Sequence, residues 1–344
     1  MTIRWRCYTE PWWQTQPERW HEWVAAAELP LFCDTPWLDA VLRHYRPQLR
    51  LWVAFDGAEP LGALPLEAVR WHGFSAWRWL GAALHPDHLD LVAPLAHQDR
   101  LWHSFLSDVV AHADVTLLFW EGVRSTSALL ALPWPKTLVL WDRPPRRCPY
   151  IPLAGIPDID ALARNWRPKL RKELAYLHRR IARDTPNATL RAVPADAIGD
   201  TLKQLAQWSM RQHGAASAWN DPRFVAFHHD LSHSLHASAQ LGLYTFGEPG
   251  TPWAIAYGFH DQGTYRYYQP AFDTAFARFS PSKMLIAALL ETGIAKGWRE
   301  FDFLLGDEPY KFEWGPRVRE EADWRVAKGW LGRVLVTWLT GWSR

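Results

Sequence analysis

The chain is poor in sulfur, with three cysteines and three methionines in 344 residues. Cys7, Cys33 and Cys148 are odd in number and far apart. They supply neither a disulfide framework nor the close ligand spacing of a structural metal. No metal is expected, and a reducing cytoplasm is the expected setting. Each thiol reads as a buried structural group or, alternatively, as a nucleophile. Long apolar runs are also missing: no stretch approaches the roughly 20 residues of a spanning helix. The first residues, MTIRWRCYTEPWW, lack the apolar core of a signal peptide. A large net charge is absent as well. The formal +2 demands neither nucleic acid nor an acidic polymer as partner.

What is abundant is tryptophan, 24 residues in a chain that is 48% hydrophobic and 22% charged. Those indoles either line a large ligand groove or fill cores, the plainer use of so bulky a side chain. The length suits two domains of ordinary size.

The two halves carry one design twice. In the first, TPWLDAVLRHY (35–45) opens with a cap and a proline, as helices do. LWVAF (51–55), LGALPLEAV (61–69) and FSAWRWLGA (74–82) follow as short strands between turns, then a helix (98–113) and a strand (114–123). In the second half NDPRFVAFHHDLSHSL (220–235) leads to LGLYTF (241–246), WAIAYGF (253–259) and TYRYYQPAFD (264–273). A helix (280–297) and a strand (299–308) follow again. The offset is about 190 residues. The expected fold is therefore α/β, two tandem units each with a mixed sheet flanked by helices. The proline-rich stretch DRPPRRCPYIP (142–152) is the natural joint. The expected divisions are 1–145, 146–320 and an amphipathic C-terminal helix over 321–344.

Between joint and second unit, residues 161–184 place Leu162, Leu170, Leu174, Leu177 and Ile181 on one helical face. Arg167, Lys169, Arg171, Lys172, Arg179, Arg180 and Arg183 form a basic exterior. That exterior is either a solvated face or a positive wall beside a polyanionic partner. Further on, Arg278, Ser280, Ser282 and Lys283 gather where the 280–297 helix begins, a place suited to a diphosphate. The equivalent VAPLAHQD of the first half has no such cluster.

The run FARFSPSKMLIAALLETGIAKGWREFDFLLGDEPYKFEWG (276–315) resembles the C-terminal signature of GNAT-fold acyltransferases grouped with bacterial cellulose-biosynthesis (CelD-like) proteins. These are relatives of the tandem-GNAT, FemABX-type peptidoglycan aminoacyltransferases. WRPKLRKELAYLHRR and HPDHLDLVA (85–93) resemble the same family. The likeness covers about residues 30 to 320, by repeat boundaries. It implies two tandem GNAT-like domains, the first degenerate, and a CoA-dependent N-acyltransferase. The acyl-CoA would lie between two splayed parallel strands, with its pyrophosphate on the helix after the first. Arg278, Ser280, Ser282, Lys283 and Lys311 would then be the cofactor contacts. The family's loop carries glycines where this chain has Ser280, Pro281 and Ser282.

For the chemistry, Asp302 alternates with Phe301 and Phe303 along a strand. It is either salt-bridged or faces the arriving amine. Asp307 and Glu308 stand where a carboxylate can take the amine's proton, and His260 is a second base candidate. Tyr310 is the candidate donor to the leaving thiolate, in keeping with the resemblance. The amine would attack the thioester directly, without an acyl-enzyme. Backbone N–H groups on the splayed strand would polarise the carbonyl.

The tail places Ala327, Leu331, Val334, Leu335, Trp338 and Trp342 at helical spacing among Arg325, Lys328, Arg333 and Arg344. Such a helix docks on the protein's own surface or lies peripherally on a membrane through residues 324–344. Three functions stand side by side. The first is acyl-CoA-dependent transfer to an amino sugar or small amine in envelope or exopolysaccharide metabolism. The second is aminoacyl transfer from charged tRNA, and the third a non-catalytic scaffold. No DNA partner is expected.

Overall fold

The computed structural model describes residues 2–329 and Val334. It divides into unit 1, Met1–Arg146 with the chain from Glu320 onward, and unit 2, Arg147–Arg319. In unit 1 the chain runs β1 (Ile3–Tyr8), α1 (Pro17–Ala26), α2 (Thr35–Tyr45), β2 (Gln48–Asp56), β3 (Glu59–Trp71) and β4 (Phe74–Trp79). Helix α3 (Leu95–Ser104), β5 (Leu117–Arg124) and β6 (Leu138–Asp142) complete it. Unit 2 contains β7 (Arg146–Pro152), α4 (Ile159–Ala163), α5 (Pro168–Asp184), β8 (Thr189–Ala192), α6 (Ile198–His213) and α7 (Pro222–Ala237). It continues with β9 (Leu241–Glu248), β10 (Thr251–Asp261), β11 (Thr264–Phe272), α8 (Pro281–Ala295) and β12 (Glu300–Asp302). The last strand, β13 (Arg317–Lys328), pairs with β5 and β6 in unit 1.

The repeat read from the sequence is present. In each unit a helix leads to three antiparallel strands, then a helix, then a strand parallel to the third: β4 with β5, and β11 with β12. Each chain reversal between antiparallel strands is a short Gly-containing turn, and the parallel step requires the crossover helix. The expected single helix over 161–184 is two, α4 and α5. Pro168 cannot donate to a preceding turn, so it opens a new helix instead of continuing one. Leu170, Leu174, Leu177 and Ile181 are buried as their spacing requires.

Residues 321–328, expected to open an amphipathic helix, are strand. Pairing on both edges overrides the helical spacing, and Ala327 is a buried strand residue. The rest of that expected helix falls outside the described residues, Gly329 and Val334 apart. Among the described residues no helix is long and apolar enough to cross a membrane.

Tryptophan is core filler. Trp13, Trp20, Trp37, Trp102, Trp120, Trp253 and Trp314 are among the largest side chains that are fully buried. Cys33 and Cys148 are buried, and none of the three cysteines is in a disulfide. Burial pushes the Cys33 thiol up to about 12, and that of Cys7 upward too, against nucleophilic use of either.

The units differ at the edge of the parallel pair. In unit 1, β4 ends at Trp79, opposite Leu66 of β3, and the space beyond is taken by the HPDHLDLVA segment. Val92 exchanges both backbone hydrogen bonds with Ala63 of β3, at 2.9 Å each. On its other side Leu89 donates to Gly122 O (2.7 Å) and accepts from Arg124 N (3.1 Å). Buried Asp90 anchors the segment, accepting from Trp102 Nε1 (3.0 Å), Ser127 Oγ (2.7 Å) and Arg124 Nε (2.7 Å). The gap of unit 1 is thus filled by its own chain. A Cβ at Gly62 would fall on Ala93 of that segment and lie 2.9 Å from Leu101 Cδ1. Gly62→Ala is expected to destabilise unit 1 by about 1–3 kcal/mol through overpacking, measurable by urea unfolding; an unchanged midpoint would contradict the filled gap.

Candidate active site

Unit 2 keeps its gap. The parallel pairing of β11 with β12 covers only Thr264–Arg266 against Glu300–Asp302. From Tyr267 onward β11 is paired by β10 alone among the described residues. The register slips there, Tyr267 and Tyr268 together opposing Gly258. Such a bulge bends the strand and re-aims its side chains. A Cβ at Gly258 would strike the Arg266 carbonyl, so only glycine admits the approach.

The closed end of the splay is an ion cluster. Arg266 Nε donates to both oxygens of Asp261 (2.9 and 2.7 Å), and its Nη1 donates to Asp302 Oδ2 at 2.9 Å. All three groups are buried. Burial pulls the guanidinium's pKa down, but the two carboxylates outweigh it and hold it above the ordinary arginine value. The other Asp302 oxygen accepts from Leu304 N at 2.8 Å. Leu304 has a left-handed φ of 58° and turns the chain out of the strand. Of the two roles open to Asp302, the structure gives it the salt-bridged one, sealed from solvent.

His260 is at the wrong end for a base. It pairs with Tyr265 and packs on Trp298 where β11 and β12 are still joined. The splay opens two residues further along β11, and His260 stays on the joined side of it. Its Nε2 lies 3.0 Å from Tyr244 Oη. Burial and then Lys296 lower its pKa to about 4, so it is neutral at pH 7.

Past the splay, the GDEPYK loop is knotted on itself. Lys311 is buried and donates Nζ to Leu305 O (2.8 Å) and Gly306 O (3.4 Å), with Glu308 at 2.9 Å. Its donors are spent inside the loop, which corrects its assignment as a cofactor contact. Gly306 has φ of 122°, a region that glycine alone tolerates well. Asp307 and Glu308 are exposed, but β12 ends at Asp302, short of the expected 299–308, so they stand in the loop five and six residues beyond the strand. Tyr310 is 36% exposed, edge-on to Phe303 at 6.3 Å. Burial, then Glu308, raises its pKa, so it holds its proton at neutral pH.

The mouth of α8 is less free than its sequence promised. Ser280 caps the helix in a left-handed conformation (φ 46°) and directs Oγ to Glu173 of α5 at 3.5 Å. Lys283 Nζ binds Glu173 Oε2 at 2.7 Å and Glu313 Oε2 at 3.3 Å. Partial burial pulls its pKa down, but hydrogen bonds to both carboxylates more than offset this and hold it above the ordinary lysine value. Ser282 is half-buried in the first turn, and Arg278 is exposed, its guanidinium 4.8 Å from the Phe279 ring centre. Arg180 of α5 flanks the same ring and donates to Arg278 O at 3.3 Å. The charge of Lys283 is thus taken up by two carboxylates, and Arg278 is the exposed cation beside it. In this arrangement Ser280 and Lys283 do not fit a diphosphate.

Glu173 and Arg266 were missed as site-building residues in the sequence. A single acid in the basic run RPKLRKEL and a charge inside the tyrosine strand TYRYYQ were the available signals. On the other face of β11, Trp219 Nε1 donates to Gln269 Oε1 (3.4 Å) and Gln212 Nε2 to Phe272 O (2.8 Å). These bonds fix the α6–α7 connection beside the open half of the strand.

With this geometry described, the relatives can be placed. Residues 168–312 match the family model of the acetyltransferase (GNAT) domain. No curated protein sequence matches the chain. Among solved structures, FemX shares 11% identity at a TM-score of 0.66, over 92% of this chain and 97% of its own. The C-terminal domain of a putative lysylphosphatidylglycerol synthetase from Agrobacterium fabrum shares 12% at 0.57, over 95% of both chains. A conserved protein of unknown function from Bacteroides thetaiotaomicron shares 14% at 0.54, over 85% and 90%. At these identities the likeness is one of fold. Unit 2 therefore has a GNAT-type fold, its order β8–α6–α7–β9–β10–β11–α8–β12 ending in the splayed pair.

Asp302→Ala would leave Arg266 with one carboxylate in a buried site. The expected loss is about 3 kcal/mol, the low end for a broken buried pair because Asp261 remains; a denaturant curve matching the parent would refute the clamp. A histidine whose folded pKa is depressed binds its proton more readily once unfolded. Stability from His260 is thus full above about pH 6.5 and lost as pH falls toward 4. His228, whose pKa burial lowers well below the ordinary value, acts in the same direction. His260→Gln should flatten part of that slope in melting temperatures taken from pH 7 to 4.

Proposed function

We propose that unit 2 transfers an acyl group from an activated ester or thioester to a primary amine. The observation that carries this reading is the parting of β11 from β12 after Arg266, beside the Asp307–Tyr310 corner. Backbone N–H groups of a strand at such a parting, Pro270 having none, would polarise an acyl carbonyl, and their fixed orientation supplies the stabilisation without reorganisation. The amine nitrogen attacks the carbonyl carbon and the bond to the leaving oxygen or sulfur breaks. Exposed Asp307 or Glu308 takes the ammonium proton, and Tyr310 protonates the leaving atom. Lys311 keeps that corner in shape from beneath.

An acyl-CoA is the donor suggested by the family's description and by the resemblance of residues 276–315. The carboxylates at the α8 mouth argue for a second donor, an aminoacyl ester of RNA. Helix α5 supports it: Lys169, Arg171, Lys172, Arg179 and Arg183 are exposed, with Tyr176 53% exposed among them. Cationic groups interleaved with an aromatic suit a phosphate backbone with accessible bases. The narrower kinship with cellulose-associated acyltransferases, and an amino sugar or small amine of envelope or exopolysaccharide metabolism as acceptor, belong to this proposal.

The test is transfer by the full chain from two donors, acyl-CoA followed by thiol release and labelled aminoacyl-tRNA, to a panel of amines. Turnover is expected from the RNA ester, falling about 100-fold in Tyr310→Phe without loss of fold. Turnover from acyl-CoA alone would return the first donor. Turnover from neither, in folded protein, would overturn the enzymatic reading in favour of a scaffold.

A further inference from the structure

The start of α8 has some of what an anion site requires: the positive end of a helix, a lysine and nearby arginines. Its own chain already supplies the anions. Glu173, from the middle of α5, accepts from Lys283 at 2.7 Å and from Ser280 Oγ at 3.5 Å. Glu313, from the short helical turn Lys311–Trp314 after the GDEPYK loop, closes on the same ammonium at 3.3 Å. The two carboxylates come from separate elements and converge on one cation. Each is only 28–29% exposed in its side chain. A diphosphate arriving there would meet two like charges and a lysine already bound.

We infer that Glu173 and Glu313 are donor-specificity residues: they occupy the α8 mouth in place of a donor's diphosphate and exclude donors that must anchor one there. This rests on the acyl-transfer reading for its meaning, but its test is binding and does not require turnover. Arg278 and Arg180 lie beside Phe279, Arg180 also 3.5 Å from Asp184, so neutralising Glu173 and Glu313 leaves Lys283 and Arg278 as positive charge at the mouth. A like charge at about 4 Å costs roughly a factor of five even in water. Removing two should therefore tighten binding of a diphosphate roughly 25-fold, and somewhat less where salt screens them.

The experiment titrates coenzyme A and, separately, pantetheine, which lacks the nucleotide diphosphate, into the full chain by calorimetry at low salt. Proteins compared are the parent, Glu173→Gln, Glu313→Gln and the double variant, each checked by thermal melting. Expected are no saturation of the parent by millimolar coenzyme A and at least tenfold tighter binding by the double variant, with pantetheine unchanged. Micromolar binding of coenzyme A by the parent would overturn the inference. So would a folded double variant that binds no tighter than the parent, or equal gains for coenzyme A and pantetheine. Should the double variant fail to fold, each single variant must still gain several-fold; a folded single variant without gain counts against the proposal. Absence of acyl transfer with every donor would bear on the enzymatic reading and leave this comparison intact.

Discussion

Everything in the proposed site depends on where two parallel strands stop being neighbours. Arg266 and Asp302 form the last registered pair of β11 and β12, and they are also the two halves of a buried ion pair. The attraction holds the strands together up to that point. The same aspartate captures the Leu304 amide and turns β12 away immediately after it. One carboxylate thus joins and then separates the strands. Burying these charges is costly unless every partner is present, which is why Asp261 completes the arginine's coordination.

The duplicated design makes the significance of that separation visible. Both units build the same parallel pair behind the same crossover helix. In unit 1 the edge left beyond β4 is consumed by residues 89–92, bonded to β3 on one side and β5 on the other. A strand edge without a partner is unstable in a closed core, and the chain provides one. In unit 2 the corresponding edge on β11 has no such segment among the described residues. One copy of the fold fills the place beyond its parallel pair with its own chain, and in the other, among the described residues, β12 leaves β11 after Asp302.

Much of the fold was legible because its signals are local. Caps with proline, alternating runs and turns are set by neighbours a few residues apart, so the repeat and the β11–α8–β12 order could be read directly. The break at Pro168 is a local signal that a continuous apolar stripe concealed. Residues 321–328 failed for a different reason: their helical spacing is genuine, but pairing to β5 and β6 outweighs propensity. The site was less legible than the fold. Asp307, Glu308 and Tyr310 could be placed after the second strand of the pair by counting, though β12 stops at Asp302, earlier than its sequence suggested. The fates of Asp302, Lys283, Lys311 and His260 could not, because each is decided by a partner or by distance along a strand.

The sequence by itself determined the elements, their order, their duplication and which residues carry ionisable chemistry, since these follow from short-range periodicity and composition. Only the tertiary structure decided which charges are free. Lys283 reads as a phosphate ligand until Glu173, 110 residues away, is brought within 2.7 Å of it. Electrostatic partnership depends on separation in space, and no spacing along the chain encodes that.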